Sequence, residues 1–152
     1  MTIETGQVAP DFELKDHTEQ VVSLADYRGK RPVALVFYPF AFSGICTGEL
    51  CEIRDNIAVF DEGNVQVLGI SCDPMWSLRA YAEAQGYAFP LLSDFWPHGA
   101  VAREYGVLNE QAGFAIRGTF LIDADGVVRW SVVNGPGEAR PLTAYREAVA
   151  AL

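Results

Sequence analysis

The residues best suited to chemistry in this chain are its cysteines, Cys46, Cys51 and Cys72. Cys46 closes the segment Pro39-Phe-Ala-Phe-Ser43-Gly-Ile-Cys46, which follows an apolar run and opens a helical pattern. A thiol in the first turn of a helix faces N–H groups without intrahelical partners and the positive end of the helix dipole. Both favour thiolate over thiol and draw the pKa below its usual value of about 8.5. The thiolate is the nucleophile, so this placement supplies reactivity. Ser43 stands one turn earlier, where its hydroxyl can cap the helix or bond an oxygen ligand. Cys72 follows an apolar strand and reads as packing. His17 falls in a polar turn and His98 in a Trp-Pro-His-Gly loop. Neither has the Cys/His spacing of a zinc site, so no metal is expected.

The elements that must position Cys46 are legible as periodicities. Residues 12–15 and 21–24 read as short strands joined by the polar turn 16–20, and 27–32 as a loop. The run 33–38 is apolar throughout, as for a central strand covered on both faces. Leu50, Ile53, Arg54, Ile57 and Phe60 recur at spacings of three and four, which predicts a helix over about 43–60. A buried strand follows at 65–71. Asp73-Pro74 then starts a helix running from 75 to about 85 and stopping at Gly86. A short strand at 89–93 and a short helix at 100–105, ended by Gly106, come next. Strands 118–122 and 127–131 form a hairpin through Asp123-Ala-Asp-Gly126, and a helix over 142–151 closes the chain. Strands alternating with helices before a late hairpin predict an α/β domain with a mixed sheet. A thioredoxin-like sandwich fits this order. A flavodoxin-like sheet is the alternative, but the antiparallel hairpin suits it poorly.

With 152 residues and no repeat, low-complexity stretch or linker, the chain is expected to form a single domain over 1–152. Eleven basic against 20 acidic residues give a net charge of −9. That charge opposes non-specific binding to nucleic acid or anionic membrane, and neither is an expected partner. No apolar run approaches the roughly 18 residues of a membrane span. The N-terminus lacks the basic and apolar regions of a signal peptide, so a cytoplasmic location is expected, with reduced thiols.

The Pro39-x-x-x-Ser43-x-x-Cys46 spacing resembles the peroxiredoxin signature Pro-x-x-x-Thr/Ser-x-x-Cys. Glu49, three residues beyond the cysteine, and Arg117 in Arg117-Gly-Thr-Phe120 extend the likeness, as does Ala9-Pro-Asp-Phe12. The stretches 90–101, 109–113 and Gly135-Pro-Gly-Glu138 resemble the alkyl hydroperoxidase E (AhpE-type) group. The resemblance implies a peroxiredoxin sandwich: a central mixed sheet flanked by helices, with an N-terminal β-hairpin. It also implies a thiol-dependent hydroperoxide reductase that needs no cofactor, neither metal, flavin nor haem. Cys46 would be the peroxidatic cysteine, oxidised to a sulfenic acid by hydrogen peroxide, an organic hydroperoxide or peroxynitrite. Arg117 would stabilise the thiolate and the charge developing on the peroxide, Ser43 would hydrogen-bond the peroxide, and Pro39 would shield the thiolate. Glu49 would support the site.

Cys51 resembles the second, resolving cysteine of the PrxQ-type bacterioferritin-comigratory proteins. Positions five apart on an intact helix rise about 7.5 Å and point some 140° apart, whereas a disulfide needs Cα atoms within about 7 Å. The first turns would have to unwind, and Gly48 eases that. In the other reading Cys51 packs on the sheet and an external thiol resolves Cys46: thioredoxin, mycoredoxin or a low-molecular-weight thiol. Phe40, Phe42 and Trp96 offer an apolar surface for a hydroperoxide or a dimer contact, and a homodimer is expected. A thioredoxin-like reductase is disfavoured because Cys46-Thr-Gly-Glu49 lacks Cys-x-x-Cys. A peroxide sensor that passes oxidation to a partner protein is the alternative function.

Overall fold

The apolar run after residue 32 packs on two faces at once. β3 (Val33–Phe37) is buried along its whole length, and its alternating side chains divide between two apolar layers. Val33, Leu35 and Phe37 join Leu68, Ile70, Tyr105 and Phe120 on one face. Ala34, Val36 and the following Tyr38 join Leu50, Ile53, Leu78 and Tyr81 on the other. The computed structural model describes residues 2–134 and 141–152, with residues 45, 46 and 134 described by backbone alone. The family-like stretch Gly135-Pro-Gly-Glu138 lies outside the described residues.

Among the described residues, seven strands form one mixed sheet. Its order is β2 (Val21–Ser23), β1 (Glu13–Asp16), β5 (Leu91–Ser93), β4 (Gln66–Ser71), β3, β8 (Arg117–Ile122) and β9 (Val128–Asn134). β3, β4 and β5 run parallel, while β8 pairs antiparallel with β3 and β9 antiparallel with β8. The N-terminal hairpin joins through an antiparallel β1–β5 pairing. Its turn is closed by the buried Asp16 carboxylate, which accepts from the N–H groups of Thr18 and Gln20.

Helices cover both faces. α1 (Gly44–Asp55), α2 (Ala58–Glu62), α3 (Met75–Gln85) and α5 (Leu142–Ala150) contribute to one apolar layer. α4 (Ala100–Glu104) contributes to the other. This is the expected thioredoxin-like sandwich, and the antiparallel β8–β9 edge departs from a flavodoxin-like sheet. Among the described residues, no helix is long and apolar enough to cross a membrane.

The sequence reading needs correction in two places. The helix expected over 43–60 is two helices, because α1 ends at Asn56 (φ −122°, ψ 29°). Asn56 Nδ2 donates to the Glu52 carbonyl at 2.9 Å, a side-chain bond that competes with continuing the helix. A small hairpin of β6 (Leu108–Asn109) and β7 (Phe114–Ala115) was not anticipated. Asn109 Oδ1 builds its turn by accepting from the N–H groups of Gln111 and Ala112.

Candidate active site

The chain leaves the sheet at the carboxyl end of β3 and turns before entering α1. Pro39 is half-buried there. Phe40, Ala41, Phe42 and Ser43 make a turn whose closing bond, from Ser43 N–H to the Phe40 carbonyl, is 3.5 Å long. Phe42 occupies the third position with φ 68°. That left-handed conformation costs a residue bearing a side chain about 1–3 kcal/mol and persists only where the surroundings enforce it. Its ring lies 4.8 Å from that of Tyr81, and the preceding amide of Ala41 donates to Asp73 Oδ2 at 2.9 Å.

Ser43 is the N-cap of α1, with extended backbone and a carbonyl that accepts the Thr47 N–H at 2.9 Å. The backbone of Cys46 lies in the first turn, where exposed N–H groups favour an anion. The side-chain cap anticipated for Ser43 is not formed. Its Oγ is instead buried, with no hydrogen-bond partner among the described residues.

Arg117 opens β8, and its neighbour Gly118 pairs with Phe37 at the end of β3. The antiparallel pairing therefore brings Arg117 to the edge of the sheet from which the Cys46 segment departs. Glu49 reaches it from α1: Arg117 Nη1 donates to Glu49 Oε1 at 3.1 Å, with side chains only 6% and 4% exposed. A charge buried this deeply must be paired, and Glu49 supplies the pairing. Arg117 Nε has no hydrogen-bond partner among the described residues. Buried polar groups without partners are rare. Ser43 Oγ lies at the N-cap of α1 and Arg117 Nε at the start of β8.

Cys51 faces elsewhere. Its thiol donates to Gln85 Oε1 at 3.4 Å and lies 3.4 Å from the Tyr87 hydroxyl. Tyr87 in turn donates to Tyr81, and Tyr81 donates to Thr47 Oγ1 at 3.0 Å. Burial, together with hydrogen bonds to Cys51 and Tyr81, holds the Tyr87 phenol well above its ordinary pKa. Arg54 adds a bond to the Gln85 carbonyl, so Cys51 sits in a clamp between α1 and the end of α3.

The remaining candidates stand apart. Cys72 is buried after β4, and burial pushes its thiol up to about 11, helped by nearby Asp94 and opposed by a bond from the Ala115 backbone. His17 accepts from the Leu91 N–H through Nδ1, and His98 bridges the Phe95 and Gly113 carbonyls. Both are hydrogen-bonded within the fold. Phe40 and Phe42 are exposed in the turn, and the Phe40 ring packs at a tilt with its centroid 5.1 Å from that of Phe114. The exposed Trp96 instead lines a groove of about 410 Å³ with Pro74, Met75 and Phe95, to which Pro39, Ser43, Glu49 and Arg117 contribute nothing. The residue that sequence reasoning passed over is Asp73, read there only as a helix start.

Known proteins share this chain's sequence and fold. The AhpC/TSA family model matches residues 5–131. Alkyl hydroperoxide reductase E of Mycobacterium tuberculosis is 48% identical over 150 residues, which cover 99% of this chain and 98% of that one. The crystal structure of peroxidoxin BcpB from Mycobacterium tuberculosis matches with a TM-score of 0.89 at 32% identity, covering 99% of this chain and 98% of that one. That of Enterococcus faecalis AhpC matches with a TM-score of 0.89 at 30% identity, covering 99% and 92%. Likeness at this level, from one end of the chain to the other, means that the protein belongs to the AhpC/TSA family and is a peroxiredoxin enzyme of the alkyl hydroperoxide reductase E type.

Proposed function

We propose that this enzyme reduces hydrogen peroxide, organic hydroperoxides and peroxynitrite through a sulfenic acid on Cys46. The observation that carries the reading is the buried Arg117, held by Glu49 at 3.1 Å at the sheet edge where α1 begins. The Cys46 thiolate attacks the terminal peroxide oxygen; an S–O bond forms as the O–O bond breaks. The departing oxygen leaves as hydroxide, alkoxide or nitrite, and the first two take a proton to become water or alcohol. Arg117 and the N–H groups opening α1 stabilise charge on both reacting oxygens. Ser43 Oγ orients the peroxide, and Pro39 limits access of water to the thiolate.

The cycle closes when a thiol condenses with the sulfenic acid, releasing water and forming a disulfide. A second thiol then reduces that disulfide and restores Cys46. The hydrogen bond from the Cys51 thiol to Gln85 and its 3.4 Å contact with the Tyr87 hydroxyl hold it against the end of α3, which favours an external thiol such as mycoredoxin, thioredoxin or a low-molecular-weight thiol. Resolution by Cys51 requires α1 to unwind first. The working protein is a single domain, with homodimer formation and a cytoplasmic location completing the proposal.

The test is consumption of hydrogen peroxide and of an organic hydroperoxide, with a thiol donor, by wild-type and Cys46→Ser protein. Turnover by wild type that disappears in Cys46→Ser is expected; normal turnover by the variant overturns the reading.

A further inference from the structure

The turn that delivers Cys46 has little to hold it from within. Its closing hydrogen bond is 3.5 Å long, and Phe42 fills with φ 68° the third turn position, where a positive φ ordinarily calls for glycine. The hold comes from the neighbouring strand. β3 and β4 are parallel partners with Phe37 opposite Ile70, so the segments that follow them leave the sheet side by side. Asp73, just past β4, reaches across: its Oδ2 accepts the Ala41 N–H at 2.9 Å.

The same oxygen accepts the Ser71 hydroxyl at 2.7 Å. The Asp73 backbone is fixed too, since its N–H lies 3.3 Å from Ser71 Oγ and its carbonyl accepts the Ser93 hydroxyl at 2.6 Å. Ser71 and Ser93 are opposed in the β4–β5 ladder. Two serines at adjacent strand ends thus aim one carboxylate oxygen at one amide in the nucleophile's turn.

We propose that Asp73 is a positioning residue for peroxide attack: through Ala41 it holds the 39–43 turn, and with it Pro39 and Ser43, in register with the start of α1. The inference rests on the peroxidase reading given above. A reacting pair displaced by about 1 Å loses on the order of 100-fold in rate, so loss of this tether falls on the peroxide step. The carboxylate acts as an acceptor, so an amide oxygen can replace it.

The experiment compares wild type, Asp73→Ala and Asp73→Asn in single-turnover oxidation by hydrogen peroxide. Alkylation of Cys46 by iodoacetamide and thermal melting run in parallel. The expected result is a loss of about 10- to 100-fold in peroxide rate for Asp73→Ala. Alkylation, which needs a thiolate but no oriented peroxide, changes little, and Asp73→Asn recovers most of the rate. A peroxide rate for Asp73→Ala near that of wild type, or one that falls in parallel with alkylation, overturns the proposal. So does an Asp73→Asn protein as slow as Asp73→Ala. If Asp73→Ala does not fold, Ser71→Ala, which removes the hydroxyl orienting Oδ2, replaces it with the same expected pattern. Wild-type protein that fails to consume peroxide defeats the peroxidase reading itself; active wild type with an unaffected variant defeats only the role of Asp73.

Discussion

Arg117 and Glu49, separated by 68 positions in sequence, form an ion pair 3.1 Å long with both side chains buried. The pair ties the opening residue of β8 to α1 one turn beyond Cys46. It holds the guanidinium in place while leaving Nε without a partner among the described residues.

Arg117→Ala is therefore expected to slow oxidation of Cys46 by about 10²- to 10³-fold, the usual loss when a donor to developing oxygen charge is removed. Arg117→Lys should not restore the rate, because a point charge cannot reproduce a fork that serves two acceptors. Glu49→Ala strands a buried cation and should cost about 3–5 kcal/mol of stability, read from urea unfolding. Glu49→Gln, which keeps an acceptor, should cost less. Stopped-flow oxidation of the folded variants checks the kinetic half.

Cys51 is held on α3, and Cys51→Ala should keep turnover with an external thiol within a factor of about two of wild type. After one equivalent of peroxide without reductant, wild type should gain the mass of one oxygen; loss of two hydrogens would reveal a Cys46–Cys51 disulfide. Gly48 is exposed on α1, and a Cβ there would meet nothing within 4 Å. Gly48→Ala should raise stability by about 0.5–1 kcal/mol. It should slow any disulfide that depends on unwinding.

Cys72 should stay unlabelled by iodoacetamide in the native protein at neutral pH, since burial raises its pKa to about 11. Above the ordinary thiol value the unfolded chain releases this proton while the folded chain keeps it. Stability is thus lost as pH rises through that window. The urea midpoint should fall between about pH 9 and about pH 11, and Cys72→Ala should flatten the fall.

His17 gives the opposite slope. Burial lowers its pKa below 6.5, with Arg79 acting in the same direction and Asp16 against it, and Nδ1 must stay unprotonated to accept from Leu91. Below 6.5 the unfolded chain takes up a proton first, so stability contributed by neutral His17 is lost as pH falls through its folded pKa. Replacing His17 with Ala should lessen the acid sensitivity of the urea midpoint.

Local signals in the sequence reached as far as local forces do. The all-buried β3, the stop of α3 at Gly86 (φ 70°) and the Asp-Gly hairpin follow from apolar periodicity and backbone preference within a few residues. Pro39, Ser43 and Cys46 stand out in the sequence by their motif spacing, and Glu49 and Arg117 by the family resemblance. Asn56 broke the predicted helix through a side-chain bond that apolar periodicity does not register. The Glu49–Arg117 pairing depends on β8 running antiparallel to β3, and the Asp73–Ala41 bond on β3 and β4 being parallel neighbours. Both are consequences of topology. The clamp on Cys51 likewise depends on where α3 ends relative to α1, which spacing along one helix does not encode.

The most direct test of the account is to expose reduced protein to one equivalent of hydrogen peroxide, trap with dimedone and map the label by peptide mass spectrometry. Labelling at Cys46, abolished in Cys46→Ser and slowed in Arg117→Ala, is the predicted result. Labelling at Cys51 or Cys72 with Cys46 unmodified would contradict it.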